Sequence, residues 1–441
     1  MNIDELENIA ANYNAPMYIF DSDIVTDTVE MFRRNLNTAS KININLCYAM
    51  KANPFLVNIM NELTDRIEVC SMGEFRICRE KEITPEKLLI SGVMKDRQDI
   101  YEILDCYGER CLYTAESLMQ YSYFKEWCKA NKKAVNVYLR LTSGNQFGMD
   151  KQTIRNIIRE QINEEINEEI NEKINGQTNE QINRQINEKC SPHISGIHYF
   201  SGTQKKSMKK IRDELTSLQE FICELEDTTG YRINELEYGP GIPVAYFEGQ
   251  DNALEQHIKE VADIINEIQP DYKITLEMGR AFAAGCGYYM TEVKDIKHSD
   301  DKNYCIVNGG MHQLNYDGQI RGMYMPHIRY IRSASVEYNE TDFEKADISK
   351  LDRNELINTE SVKNWTICGE LCTGNDVLVQ KIAIDDLKAG DKFVFENTGA
   401  YSMTEGMALF LSHVLPAIAI YNKKDGIKII RKEMETYKLN M

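Results

Sequence analysis

Short apolar runs recur through the first 280 residues, each followed by a polar loop and then an amphipathic stretch. The runs are Ile42–Tyr48, Arg66–Cys70, Leu88–Gly92, Cys111–Thr114, Val135–Leu141, Ile194–Phe200, Ile233–Tyr238 and Ile274–Glu277. Short apolar runs bounded by turn residues are the pattern of buried strands, and their alternation with helix-like stretches predicts parallel pairing. Eight such units over about 240 residues predict a closed (β/α)8 barrel, whose chemistry sits on the loops that follow the strands.

Beyond Glu277 the texture changes. Tyr289–Val293, Tyr304–Asn308, Trp365–Glu370, Asp376–Gln380, Lys392–Glu396, Ala417–Tyr421 and Gly426–Arg431 read as short strands separated by turn signals. A run near the N-terminus, Met17–Phe20, predicts one more strand for the same sheet. The expected division is therefore an N-terminal segment (1–35) joining the β domain, a barrel (36–280) and a β-rich C-terminal domain (281–441). One segment breaks the rhythm: residues 160–188 read EQIN EEIN EEIN EKIN GQTN EQIN RQIN E. Ile at every fourth position drifts by about 40° per repeat around a helix, which predicts a long helix with a slowly winding apolar stripe, interrupted at Gly176 and Thr178. A tolerated low-complexity expansion and a partner-binding helix both fit it.

Composition narrows the functional classes. A formal net charge of −18 over 441 residues disfavours nucleic acid and anionic membrane surfaces as partners. The N-terminus lacks a basic, then apolar, leader, and no run of about 18 apolar residues occurs, so a cytoplasmic enzyme is expected. The twelve cysteines are scattered, and the Cys368–Cys372 spacing suits neither a zinc knuckle nor a redox pair, so no metal site is expected.

The chemistry begins at Cys47-Tyr48-Ala49-Met50-Lys51-Ala52-Asn53-Pro54, where the first barrel strand stops at a lysine and an Asn-Pro turn. A lysine held there is either a solvated surface residue or a reagent. At the ends of strands seven and eight, Tyr238-Gly239-Pro240-Gly241 offers glycines that let backbone N–H groups approach an anion, and Glu277-Met278-Gly279-Arg280 adds a guanidinium. Tight turns and a Glu277–Arg280 salt bridge are the plain alternatives. Thr203, after His198-Tyr199-Phe200-Ser201-Gly202, offers a hydroxyl to the same anion or to its own turn. A phosphate site, a lysine and an acid converging on one barrel mouth point to pyridoxal phosphate, with Lys51 on the aldehyde and Glu277 keeping the pyridine nitrogen protonated.

The motifs CYAMKANP, EVCSMGE, GIHYFSGTQ, LEYGPGIP, LEMGR, CGELCTGNDVL and NTGAYSM occur in this order. From about residue 15 to residue 420 the chain resembles the fold-type III pyridoxal-phosphate decarboxylases, the group of diaminopimelate and ornithine decarboxylases. The resemblance implies a TIM-type, alanine racemase-like barrel with a β-rich second domain. It also implies Lys51 as the cofactor lysine, Glu277 at the pyridine nitrogen, and Gly239, Gly241, Arg280 and Thr203 around the phosphate. Tyr401 would reach phosphate or substrate, and His198 matches the first histidine of the family's HxHxGS pattern. Cys372 matches a cysteine that relatives donate into the partner subunit's site to return a proton to carbon, which implies a head-to-tail homodimer with shared sites.

Three departures bear on the substrate. Phe200 stands where relatives place a second histidine over the cofactor's face. Thr373 replaces an acid that binds the amino group at the substrate's far end, which argues against ornithine or lysine. The SRPRP-like segment expected after GAYSM is replaced by Thr404-Glu405-Gly406-Met407-Ala408-Leu409-Phe410, in which Glu405 is a candidate substitute acid. Arg321 and Tyr324 resemble, at shortened spacing, the Arg and Tyr that hold a distal carboxylate in diaminopimelate decarboxylases. The expected reaction is decarboxylation at the α-carbon of an amino acid, with diaminopimelate as the default substrate and an acidic or carrier-linked amino acid as the alternative. A racemase on the same barrel would favour an arginine over Glu277, and a non-catalytic cofactor carrier would lack the second domain.

Overall fold

Every apolar run expected in the barrel forms a barrel strand. The computed structural model describes residues 1–39, 42–174, 190–333 and 362–441. Its first strand is β1 (Met17–Asp21), and the barrel consists of β2 (Ile44–Ala49), β3 (Arg66–Val69), β4 (Leu88–Ile90), β5 (Leu112–Ala115), β6 (Asn136–Arg140), β7 (His193–Phe200), β8 (Glu235–Gly239) and β9 (Lys273–Met278). These eight strands pair in chain order, and β2 closes in parallel onto β9. Helices follow the strands because the loops end on good caps. Ser71, Asp96, Ser117 and Ser207 each accept a first-turn N–H, starting helices Met72–Glu80, Arg97–Tyr107, Leu118–Asn131 and Met208–Thr229. Gly230, at φ +70°, ends the last of these.

The barrel's interior is more polar than its strands suggest. The Arg66 guanidinium donates to both Glu235 oxygens at 2.5 and 2.9 Å, to Glu237 at 3.3 Å and to the Tyr138 hydroxyl at 2.8 Å. Burial pushes the Glu235 carboxyl up, but the bonds from Arg66 outweigh it and hold the pKa below the ordinary value. Glu237, one inward position further along β8, is fully buried, and burial pushes its pKa up to about 8 despite the nearby Arg66. The helix Lys151–Ile174 carries the start of the Ile-Asn repeat and buries Ile154, Ile157, Ile158 and Gln161. Residues 175–188 of the predicted stripe lie outside the described residues.

A second unit is a nine-stranded sheet containing β1 together with β10 (Gly287–Ser299), β11 (Lys302–Val307), β12 (Ile328–Ile331), β13 (Val362–Cys368), β14 (Val377–Asp385), β15 (Lys392–Glu396), β16 (Ala417–Asn422) and β17 (Gly426–Arg431). The N-terminal run joins it as expected: β1 pairs antiparallel with β10 and parallel with β16, and all five of its residues are buried. Helix Ile3–Asn12 covers this sheet with Leu6, Ile9 and Ala10, packed with Met17, Ile19, Met290, Val394 and Ala419. Strand β12 was not expected. Its four residues are mostly half-buried, and Arg329 within it pairs with Glu396 at 2.6 Å, so no apolar run announces it. The sheet unit comprises Met1–Thr28, Val244–Asn252 and Phe282–Met441, and the barrel unit comprises Val29–Pro243 and Ala253–Ala281. Among the described residues no helix is long and apolar enough to cross a membrane.

Candidate active site

Strand register decides what Lys51 meets. Cys47 and Tyr48 of β2 lie opposite Glu277 and Met278 of β9, while Ala49 lies opposite Glu68 of β3. The chain then turns through a short 3-10 segment, Met50–Ala52, which sets Lys51 between the two carboxylates. Its Nζ is 2.7 Å from Glu68 Oε2, 3.5 Å from Glu277 Oε1 and 3.7 Å from Cys70 Sγ. Asn53 fixes the turn that follows: its Oδ1 accepts the Phe55 N–H at 3.0 Å, and its carbonyl accepts the Tyr48 hydroxyl at 2.8 Å. The lysine side chain is 39% exposed, whereas those of Glu68 and Glu277 are 2% and 5% exposed. One amine therefore reaches the barrel mouth from a buried acidic pair.

Glu277 is held ionised there. Burial alone would raise its pKa, but the Lys51 charge and the His198 hydrogen bond at 2.9 Å drive it well below the usual carboxylate range. An ionised carboxylate only accepts, so His198 Nε2 carries the proton in this contact. His198 Nδ1 is buried and has no hydrogen-bond partner among the described residues.

The residues expected to bind an anion lie at the neighbouring strand ends. Arg280 Nε donates to Thr203 Oγ1 at 3.3 Å, joining the loops after β9 and β7. The glycines after β8 serve close approach between chain segments. A Cβ on Gly239 would meet the Phe200 ring at 2.3 Å, and one on Gly241, at φ +62°, would meet the Gly202 carbonyl oxygen at 2.2 Å. Phe200 thus packs on Gly239. Lys51, Glu277 and His198 make one cluster on the barrel, and Thr203 with Arg280 makes another contact on the same rim.

This donor set fits pyridoxal phosphate. A protruding amine suits the aldehyde, a buried ionised carboxylate suits a protonated pyridine nitrogen, and a guanidinium beside a hydroxyl and glycine loops suits a phosphate. One ligand atom each of Glu68, His198 and Glu277 also lie within 4.8 Å of one another, a spacing that a metal ion accepts. The Lys51 ammonium already supplies the positive charge between those carboxylates.

The remaining expected residues belong to the sheet unit. Cys372 is exposed on the loop between β13 and β14. Buried Asp376 builds that loop, its carboxylate accepting the Met311 and Leu371 N–H groups at 2.7 and 2.9 Å. Thr373 Oγ1 accepts the Asn375 N–H at 3.3 Å, and Arg321 donates to the Gly374 carbonyl at 3.4 Å. Arg321 also lines a cavity of about 250 Å³ whose walls include Met311, Leu314, Ile320, Val377 and Leu378. Tyr324 is exposed and tilts against Phe247, with ring centroids 5.1 Å apart. Tyr401 has φ +65°, and its carbonyl accepts the Glu405 N–H at 2.9 Å. The Glu405 carboxylate accepts from Asn315 at 3.4 Å.

Glu68 and Asp376 are the site residues that sequence reasoning missed. Both lie inside motifs singled out above, EVCSMGE and CGELCTGNDVL, so counting the inward positions of β3 would have found Glu68.

Comparison with known proteins gives the family. Residues 17–399 match the family described as pyridoxal-dependent decarboxylase, C-terminal sheet domain. The L-glutamyl-[BtrI acyl-carrier protein] decarboxylase of Niallia circulans is 25% identical, over 98% of this chain and 95% of its own length. The diaminopimelate decarboxylase of Aquifex aeolicus is 23% identical, over 97% and 91%. The structure of the diaminopimelate decarboxylase of M. jannaschii in complex with L-lysine shares the fold, with a TM-score of 0.72 at 18% identity over 97% of this chain and 92% of that one. With the barrel, the sheet unit and a lysine between two buried carboxylates, the chain belongs to the pyridoxal-dependent decarboxylase family and is a pyridoxal-phosphate-dependent amino-acid decarboxylase.

Proposed function

We propose that this decarboxylase acts on an amino acid whose far end is acidic or linked to a carrier, a glutamyl-type substrate, rather than on a diamine such as lysine or ornithine. The observation that carries the reading is the loop around Cys372. Thr373 brings no charge, and the Arg321 guanidinium lies against Gly374 beside it. Asp376 is engaged by two backbone N–H groups and Glu370 lies 3.4 Å from both His312 and His413, while Glu405 is exposed and accepts one long bond from Asn315. A distal carboxylate or a carrier's phosphate finds the Arg321 guanidinium beside this loop. The cavity that Arg321 lines mixes apolar walls with Asn315, Gln319 and Asn375, which suits an uncharged, amide-bearing linker. Diaminopimelate remains the second reading, supported by the Arg321 and Tyr324 resemblance and by the Aquifex relative.

In this reading Lys51 carries the cofactor, and Thr203, Arg280 and the glycines at 239 and 241 take its phosphate. Bound pyridoxal phosphate supplies the electron sink that makes loss of an α-carboxylate feasible. Glu277 would keep a proton on the cofactor's ring nitrogen, and the buried His198 donates to Glu277 and fixes its orientation. Phe200 offers an apolar face in place of an imidazole. Cys372, supplied by a second copy in a head-to-tail homodimer, returns a proton to the α-carbon, and Tyr401 completes the phosphate or substrate contacts. Arg321→Ala tests the substrate reading. It is expected to raise KM for an L-glutamyl pantetheine thioester by roughly tenfold or more with kcat little changed, the loss of one charge-assisted contact. An unchanged KM sinks the role given to Arg321.

A further inference from the structure

Behind the glycine loop lies a buried ion pair that the reaction does not use. Lys205 follows Thr203 by two residues, and its side chain is 4% exposed. An ammonium has three protons to give, and the surroundings take all three. Nζ lies 2.8 Å from Glu214 Oε2, 3.0 Å from Ser201 Oγ and 3.3 Å from the Gly239 carbonyl. It also lies 5.2 Å from the centroid of the Tyr238 ring. Its backbone N–H donates to the Gly241 carbonyl at 2.8 Å. Glu214, on the helix Met208–Thr229, gathers the other ends: it accepts from Ser201 Oγ at 2.5 Å and from the Tyr238 hydroxyl at 2.7 Å. A Cβ on Gly241 would meet Lys205 Cε at 2.8 Å, so the loop after β8 rests on the stem of this lysine.

We infer that Lys205 and Glu214 are positioning residues for the cofactor phosphate, a buried brace that locks the loop after β7, which carries Thr203, to the glycine loop after β8. The inference rests on the reading that Thr203, Gly239, Gly241 and Arg280 receive the phosphate. Lys205 itself is not a phosphate ligand, because its protons are committed to the protein and Glu214 neutralises its charge. The brace instead fixes where the backbone N–H groups of the rim point. Binding to a preformed rim avoids the cost of ordering two loops around the anion.

The test compares pyridoxal phosphate with pyridoxal, which lacks the phosphate, by titrating each into apoprotein and following bound-chromophore absorbance. Glu214→Gln, which keeps the size and removes the charge, and Lys205→Met are each expected to weaken pyridoxal phosphate roughly ten- to hundredfold and to leave pyridoxal within about twofold. Because the two act as one unit, the double variant is expected to be no worse than the poorer single one. Tyr238→Phe removes one donor to Glu214 and is expected to give a smaller loss in the same direction; it carries the test should the charge variants fail to fold. Equal losses for both ligands, or no loss for either, overturn the brace. Arg280→Ala separates the two levels. If it abolishes the preference for the phosphorylated form while Glu214→Gln does not alter it, the phosphate reading stands and the brace falls. If Arg280→Ala also leaves that preference unchanged, both fall.

Discussion

Lys51 shows how a single side chain becomes chemically special. Its stem leaves a strand end, and two buried carboxylates lie within 3.5 Å of Nζ. The sequence marked Lys51 and Glu277 because each stands at a strand end beside turn residues. It did not mark Glu68, Glu235 or Glu237, because an acid inside a mostly apolar run reads as an ordinary interruption of that run. Nor did it mark the Lys205–Glu214 pair, since that contact depends on how a helix packs against two loops. Glu237 gives a residue-scale prediction. Between the ordinary carboxylate pKa near 4.3 and about 8, folded protein keeps a proton that unfolded chain has lost. By linkage, Glu237 therefore makes stability fall as pH rises through that window and level off above it, by an amount of order a few kcal/mol. Glu237→Gln removes this slope. Melting temperatures from pH 5 to 9 are expected to show the variant gaining on the wild type as pH rises, and a pH-independent difference would contradict the assignment.

At the scale of elements, the barrel strands were legible because parallel strands buried on both faces read as nearly continuous apolar runs. Their register was not legible, and register is what makes the site: pairing Cys47 with Glu277 and Ala49 with Glu68 sets Lys51, on the turn after β2, beside side chains of β9 and β3. The sheet unit was legible in eight of its nine strands and silent at β12, a four-residue strand with Arg329 inside it. Strand β10 is longer than its apolar portion. Its inner half pairs with β1 and β15, and its outer half, past a register shift at Val293, pairs with β11 through more exposed residues. The Cys372 loop was recognisable by motif, but the reason it holds its shape, the Asp376 carboxylate beneath it, is a tertiary feature. A Cβ on Gly310 or on Gly369 would strike that carboxylate at 2.4 or 2.2 Å, which accounts for glycine at both positions.

At the scale of the whole molecule, the acidic balance of the chain argues against some partners but identifies none. Net charge speaks to nucleic acid and membrane surfaces, whereas assembly depends on shape. The proposed shared-site homodimer is checked by mixing two inactive variants, Lys51→Ala and Cys372→Ala, under conditions that let subunits exchange. If each site combines Lys51 of one copy with Cys372 of another, mixed dimers regain one intact site and activity returns to about one quarter of the wild-type value. Sites complete within one chain would regain none.

The most direct measurement is CO₂ release by cofactor-loaded protein from an L-glutamyl pantetheine thioester, meso-diaminopimelate and L-lysine, with Lys51→Ala as the blank. The account predicts Lys51-dependent release from the thioester, with a kcat/KM at least about a hundredfold above that for lysine, the discrimination expected when a buried or paired charge is left unmatched. Lys51-dependent release from lysine or diaminopimelate with the thioester inert would contradict the substrate class proposed here.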